Sequence, residues 1–203
     1  MKIICIGRNY EEHAKELNNP VPEEPVFFMK PETSLVLNNR PFFYPDFTSD
    51  LHHEVEIVLK VSRVGKHIES RFANRYYDEI GLGVDFTARD VQAKAKAKGL
   101  PWEKAKAFDG SAPLSKFVPK NTFVGMDDID FHLEINGEIV QKGNTRDMIF
   151  SFDEIIAHVS RYVTLKIGDL IYTGTPSGVG PVQKADRLTG FLGEQKMFSF
   201  LVK

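Results

Sequence analysis

The chain has 203 residues, 42% of them hydrophobic, with 16 Phe and 6 Tyr, which is apolar material for a substantial, sheet-rich core. A formal net charge of −2 and a single cysteine exclude a global basic field for nucleic acid and an internal disulfide. No apolar run is long enough to span a bilayer.

Lys2 to Ile6 reads as a short buried strand carrying an inert Cys5. A strand starting so early leaves no room for a cleavable leader, and the lone cysteine fits a reducing compartment, so a cytoplasmic location is expected. Gly7-Arg8-Asn9 breaks the strand, and Asn9 is placed to N-cap a helix from Tyr10 to about Leu17, with Glu12 at the capping-box position. His13 and Glu16 are three apart on that helix and share a face, where the carboxylate can orient the imidazole or form a plain surface pair. Asn18 to Pro25 is rich in Pro and Glu and reads as a connection.

Val26 to Met29 reads as a strand, with extended pieces at Ser34–Leu37 and Phe42–Tyr44. Residues 50–61, DLHHEVEIVLKV, alternate as one β-strand. Val55, Ile57, Leu59 and Val61 share one face, and Glu54 and Glu56 share the other. Two neighbouring carboxylates repel. Either water at an exposed surface or a hard divalent cation offsets that repulsion.

Glu69 to Tyr77 has helical character, and Ile80 to Thr87 reads as a strand whose glycines lack the third member of a dinucleotide fingerprint. Ala88 to Lys98 is a predicted helix closed by Gly99, with Lys94, Lys96 and Lys98 as its solvated end. Phe131 to Gln141 is a hairpin about Asn136-Gly137. Ser151 to Glu154 is a capping box opening a helix to about Tyr162. A strand near Gly168 to Tyr172 runs into the small-residue loop Thr173 to Gly180, which lacks a Walker signature but can cradle an anion with its backbone N–H groups. Met197 to Val202 closes the chain, and one domain over residues 1–203 is expected.

Six segments together resemble the fumarylacetoacetate hydrolase family. They are Gly7-Arg8-Asn9-Tyr10 with His13 and Glu16, Phe28-Met29-Lys30-Pro31, Leu51 to Glu56, Asp85 to Gln92, Gly99-Leu100-Pro101-Trp102 with Lys106, and Thr173 to Gly180. The chain looks most like the small single-domain acylpyruvase and oxaloacetate decarboxylase branch. This resemblance implies an α+β, β-rich fold of mixed sheets rolled into a sandwich or barrel-like body, with peripheral helices and a homodimeric assembly. It implies Mg²⁺ or Mn²⁺ held by Glu54, Glu56 and Asp85. It places His13 and Glu16 as catalytic residues on a mobile lid over about residues 8–25. Lys106 would act beside them, and Arg8, Lys30, Gln92 and Thr175 would contact substrate.

Three carboxylates without Cys or His favour Mg²⁺ or Mn²⁺ over Zn²⁺. Acting as a Lewis acid, such an ion serves both cleavage of an acylpyruvate and decarboxylation of oxaloacetate, since both release the enolate of pyruvate. The expected function is therefore hydrolysis of acylpyruvates, with His13 activating water, Glu16 holding its tautomer and a small 2-oxo acid as substrate. Oxaloacetate decarboxylation is expected in the same site. Keto–enol isomerisation of oxaloacetate or a hydroxy-dienoate acid is the enzymatic alternative, and a non-catalytic metal- or metabolite-binding protein is the other. Neither charge nor motif supports nucleic acid or membrane as a partner.

Overall fold

The computed structural model describes residues 1–17 and 19–203. Its elements in the first half are β1 (Ile3–Gly7), α1 (Glu11–Glu16), β2 (Val26–Lys30), β3 (Leu35–Val36), β4 (Leu51–His53), β5 (Val55–Val61), α2 (Ser70–Ala73), β6 (Tyr77–Val84) and β7 (Thr87–Ala88). Then follow α3 (Arg89–Ala97), α4 (Glu103–Lys106), β8 (Ala112–Pro113), β9 (Val118–Pro119), β10 (Asp130–Ile135) and β11 (Glu138–Asn144). The chain ends with α5 (Phe152–Tyr162), β12 (Leu170–Tyr172), β13 (Gly180–Pro181), β14 (Arg187–Leu192) and β15 (Gln195–Leu201).

A six-stranded sheet of order β2-β1-β12-β5-β6-β9 forms the body. It is mixed: β1 runs parallel to β12, and the other pairs are antiparallel. A four-stranded sheet, β11-β10-β14-β15, packs against it. The main core lies between them, where Val55, Ile57, Leu59 and Val61 of β5 join Leu82, Phe131, Leu133, Leu188 and Phe198. This β-rich α+β sandwich with peripheral helices has the architecture expected, and among the described residues no sheet closes into a barrel.

The alternation expected along β5 is present, but its second face is covered too. Val58 packs there with Ile3, Cys5, Leu170 and Tyr172. Solvation of the two glutamates is therefore excluded: Glu54 is 5% exposed and Glu56 1%.

The three central strands turn a common corner. A small sheet, β13-β4-β7, repeats the order β12-β5-β6 because β13 follows β12, β4 precedes β5 and β7 follows β6. The expected continuous strand over residues 50–61 is thus bent at Glu54, between β4 and β5, and Asp85 lies at the matching bend between β6 and β7. The Asp85 N–H donates to the Glu54 carbonyl across the corner, at 2.8 Å. Such bends let strands pass from one sheet to another, and here they bring acids from two strands together.

Several local expectations are met. The Asn136-Gly137 turn has φ of +54° and +89°, as a tight hairpin requires. The Ser151–Glu154 capping box opens α5, and Gly99 follows α3 at φ +62°. Others are corrected. Asn9 does not cap α1; Tyr10 occupies the N-cap without a side-chain bond, and Asn9 instead ties Phe150 N, Phe150 O and Thr173 O together. Glu12 pairs with Lys15 rather than closing a capping box. The helix expected from Glu69 to Tyr77 is only Ser70–Ala73, because Tyr77 already pairs in β6. Asn18, in the expected connection, lies outside the described residues. Among the described residues, no helix is long and apolar enough to cross a membrane.

Candidate active site

The corner gathers Glu54, Glu56 and Asp85 so that one oxygen from each lies within 4.8 Å of the others. Three cations face them, Lys106 and Lys30 buried and Arg89 partly buried. Lys106, at the end of α4, donates to Glu54 Oε2 and Asp85 Oδ2, each at 2.8 Å. Lys30, at the end of β2, places Nζ 2.7 Å from Asp85 Oδ1. Arg89, at the start of α3, donates from Nη2 to Glu54 Oε1 at 2.5 Å and from Nη1 to Gln92 Oε1 at 3.1 Å.

This arrangement pulls the two glutamates apart in acidity. Burial opposes ionisation of Glu54, but Lys106 and Arg89 outweigh it and hold the carboxyl well below its usual range. Glu56 is raised well above its usual value, by burial first and then by Asp85 and Glu54; among the described residues the Gly174 N–H (2.7 Å) is its one direct donor. For Lys106, burial favours the neutral amine, yet Asp85 and Glu54 prevail and raise its pKa.

The donor set fits a hard divalent cation. It is all oxygen, fully buried and drawn from two strands. Asp85 Oδ1 accepts no hydrogen bond; its contact with Lys30 is a charge contact outside hydrogen-bonding geometry, so acceptor capacity remains. A divalent ion would also offset the crowding that burdens Glu56.

The same cleft is lined by Arg8, His13, Gln92, Lys96, Lys106 and Thr175, with Trp102 and Phe28 as apolar walls. Arg8 holds φ +61°, an uncommon backbone for a residue with a Cβ, at the turn from β1 towards α1. His13 is buried, and its Nδ1 lies 3.1 Å from Glu16 Oε2. Glu16 Oε1 in turn accepts from Gly178 N at 3.0 Å, so the far side of the dyad is anchored on the small-residue loop. Gly178 sits at φ +94°, and a Cβ there would lie 2.7 Å from the Val140 carbonyl, so that close approach requires glycine. The loop's Gly174 and Gly178 amides thus serve this chain's own carboxylates.

The structure brings most of the expected site residues into one cleft: Arg8, His13, Glu54, Glu56, Asp85, Gln92, Lys106 and Thr175. Glu16 stands behind His13, and Lys30 behind Asp85. The three hydrogens of the Lys30 ammonium go to the hydroxyl and the carbonyl of Ser111 and to the Lys106 carbonyl, with Asp85 as a charge contact and no donor left over for substrate. The Thr175 hydroxyl donates to Val55 O at 2.9 Å, which commits its only hydrogen. Arg89 and Lys96 were not singled out from sequence. Together with Gln92 they follow the i, i+3, i+7 spacing of one helix face, which was the legible signal. Lys96 is exposed, as expected of a solvated helix end, and it also lines the cleft, 5.6 Å from the Trp102 ring centre. Its pKa is lowered by burial and then by Arg8 and Arg89.

Residues 2–197 match the family described as fumarylacetoacetate (FAA) hydrolase C-terminal. The chain belongs to that family. It is 44% identical over 189 residues to an oxaloacetate tautomerase of Escherichia coli (strain K12), covering 93% of this chain and 86% of the relative. It is 45% identical over 183 residues to a mitochondrial oxaloacetate decarboxylase of Dictyostelium discoideum, covering 90% and 84% respectively. Its fold superposes with a TM-score of 0.92 and 34% identity on a fumarylpyruvate hydrolase of Pseudomonas aeruginosa in complex with Mn²⁺ and pyruvate, covering 100% of this chain and 89% of that one. The resemblance read from the six segments is therefore correct at the level of the family.

Proposed function

We propose that this protein is a divalent-metal-dependent enzyme acting at the carbon next to the keto group of oxaloacetate or a close 2-oxo diacid. Keto–enol tautomerisation is its first activity, and decarboxylation is available in the same site. The observation that carries this reading is the placement of His13, backed by Glu16, in the same cleft as the three buried carboxylates. The tautomerase and decarboxylase names of relatives at 44% and 45% identity support it.

Glu54, Glu56 and Asp85 would hold Mg²⁺ or Mn²⁺; the Mn²⁺ of the fumarylpyruvate hydrolase structure supports the choice. When bound, the ion would polarise the 2-oxo group and stabilise negative charge developing on its oxygen. The remaining chemistry belongs to side chains. Glu16 engages His13 Nδ1, which leaves Nε2 as the atom that takes a proton from the substrate's C3 and returns one. The Lys106 ammonium has one hydrogen beyond those given to Glu54 and Asp85 and can steady charge on the substrate. Arg8, Gln92 and Lys96 are left to bind its carboxylates.

Charge supports an anionic substrate. Glu54, Glu56 and Asp85 are balanced by Lys30, Lys106 and Arg89, so Arg8, Lys96 and a divalent ion leave the cleft with positive charge to receive it. Lys30 acts in this reading through Asp85 rather than on substrate. Residues 1–203 form one catalytic domain with residues 8–25 as its lid, and the exposed Phe43 and Phe47 support a homodimer.

Acylpyruvate hydrolysis is the second reading. The His13–Glu16 dyad is equally suited to activating water, and the fumarylpyruvate hydrolase neighbour favours it. The deciding assay offers oxaloacetate, acetylpyruvate and fumarylpyruvate to the Mg²⁺-loaded protein, following enol loss and pyruvate release. Fast enol–keto exchange of oxaloacetate with slow cleavage of both acylpyruvates is expected. Preferential cleavage of an acylpyruvate selects the second reading.

A further inference from the structure

Where the chain turns the corner at Glu54, the flank of β5 is open. β12 pairs with β5 through Leu170, Ile171 and Tyr172, the Thr173 N–H adds one bond to the Ile57 carbonyl at 3.1 Å, and strand pairing resumes on the other side of the bend between Gly180 and His53. Between those points, among the described residues, no strand pairs with Val55 on this side. Val55, seated between the two glutamates, would be left with buried backbone groups lacking a strand partner, a costly state.

Gln141 fills the gap from β11, a strand of another sheet. It is 1% exposed. Its Oε1 accepts from Val55 N at 3.0 Å and from His53 Nδ1 at 2.8 Å. Its Nε2 donates to Thr175 Oγ1 at 2.9 Å and to Pro176 O at 3.0 Å. Thr175 Oγ1 passes its own hydrogen to Val55 O at 2.9 Å. The amide can face only one way, because the Val55 N–H only donates and the Pro176 carbonyl only accepts. Both lone pairs and both hydrogens of the amide are used.

We propose that Gln141 is a positioning residue of the active site, standing in for the missing strand and locking the Glu54–Glu56 segment to the loop that carries Gly174 and Thr175. Its acceptor half fixes the peptide between the two glutamates. Its donor half fixes the loop whose Gly174 N–H meets Glu56. Only its consequence for metal affinity rests on the reading of these acids as metal ligands.

The test compares Gln141→Met, of similar length and unable to hydrogen-bond through an amide, with Gln141→Glu, whose carboxyl still accepts from Val55 N–H in either charge state. Residue-resolved amide exchange is measured on the metal-free protein, and Mn²⁺ affinity is measured by titration. In the Met variant the Val55 and Gly174 amides should exchange at least about tenfold faster than wild type, while Ile80, inside the six-stranded sheet, changes less than about twofold. Its Mn²⁺ affinity should fall by about tenfold or more, as for other residues that orient metal ligands. In the Glu variant Val55 should recover to within about threefold of wild type.

Equal acceleration at Val55, Gly174 and Ile80 would reduce Gln141 to general stability and overturn the proposal. So would an unchanged Val55 in the Met variant, or a Glu variant no better than Met. Should the Met variant not fold, Gln141→Asn, too short to reach Val55, replaces it in the same comparison. If wild type binds no Mn²⁺ while the exchange pattern holds, the metal reading fails and the positioning role stands.

Discussion

Lys30→Met should reveal how strongly the corner depends on its buried counter-charges. The Lys30 side chain is 0% exposed and that of Asp85 1%, with Nζ 2.7 Å from Oδ1. Removing one partner of a fully buried ion pair costs about 3–5 kcal/mol, because the other charge is left uncompensated. Asp85 keeps Lys106 at 2.8 Å, and methionine fills most of the volume, so the low end, about 3 kcal/mol, applies. For a chain of this size each kcal/mol moves Tm by about 2–4 °C, giving a fall of about 6–12 °C in chelator-treated protein. A divalent cation restores positive charge beside Asp85, so saturating Mn²⁺ should raise the Tm of the variant by more than it raises that of wild type. Differential scanning calorimetry with and without Mn²⁺ measures both. A fall below about 3 °C, or equal Mn²⁺ shifts in the two proteins, would refute the reasoning that Lys30 serves as the counter-charge of Asp85.

Glu54→Ala, Glu56→Ala and Asp85→Ala should each abolish tight Mn²⁺ binding by calorimetry; unchanged affinity in any one removes that residue from the ligand set. His13→Ala should keep Mn²⁺ yet slow oxaloacetate enol–keto exchange by about a hundred- to ten-thousand-fold. Decarboxylation, which needs no such base, should fall much less, and equal loss of both would make His13 a positioning residue. Glu56 has a raised folded-state pKa, so the folded metal-free protein holds a proton that the unfolded chain releases. Its stability contribution is therefore present below the usual carboxylate range and is lost as pH rises through the folded value. Since a metal must displace that proton, Mn²⁺ affinity should climb over the same interval; a pH-independent affinity would contradict this. With oxalate added, amides of residues 8–17 should gain exchange protection, and equal protection without it would make α1 structural rather than a lid.

What was legible in the sequence was local or repeated. The β5 alternation, the Asn136-Gly137 turn and the Ser151 capping box each depend on residues within a few positions of one another, and each was read correctly. The six family segments likewise pointed to the acids and bases that the cleft gathers. The corner was not legible. Nothing in the alternation through Glu54 signals that the strand changes sheets there, because the change is set by β13 and β7, distant in sequence. Asn9 has cap chemistry, yet its partners are Phe150 and Thr173, so tertiary bonds won over the local option. Gln141 escaped for the same reason: it lies 86 residues from Val55, at an unremarkable place in a hairpin. Lys96 is exposed, as its alternation with alanine suggests; a helical count adds that it shares the face of Arg89 and Gln92 and so reaches the cleft.

The central claim is that the acids and the His13–Glu16 dyad work on one substrate carbon. Its most direct test dissolves the Mg²⁺-loaded protein in D₂O with oxaloacetate and follows its C3 protons by NMR. The account predicts rapid exchange of those protons for deuterium, faster than any loss of CO₂, and abolished by chelator or by His13→Ala. Exchange no faster than in protein-free buffer with the same Mg²⁺ would contradict it.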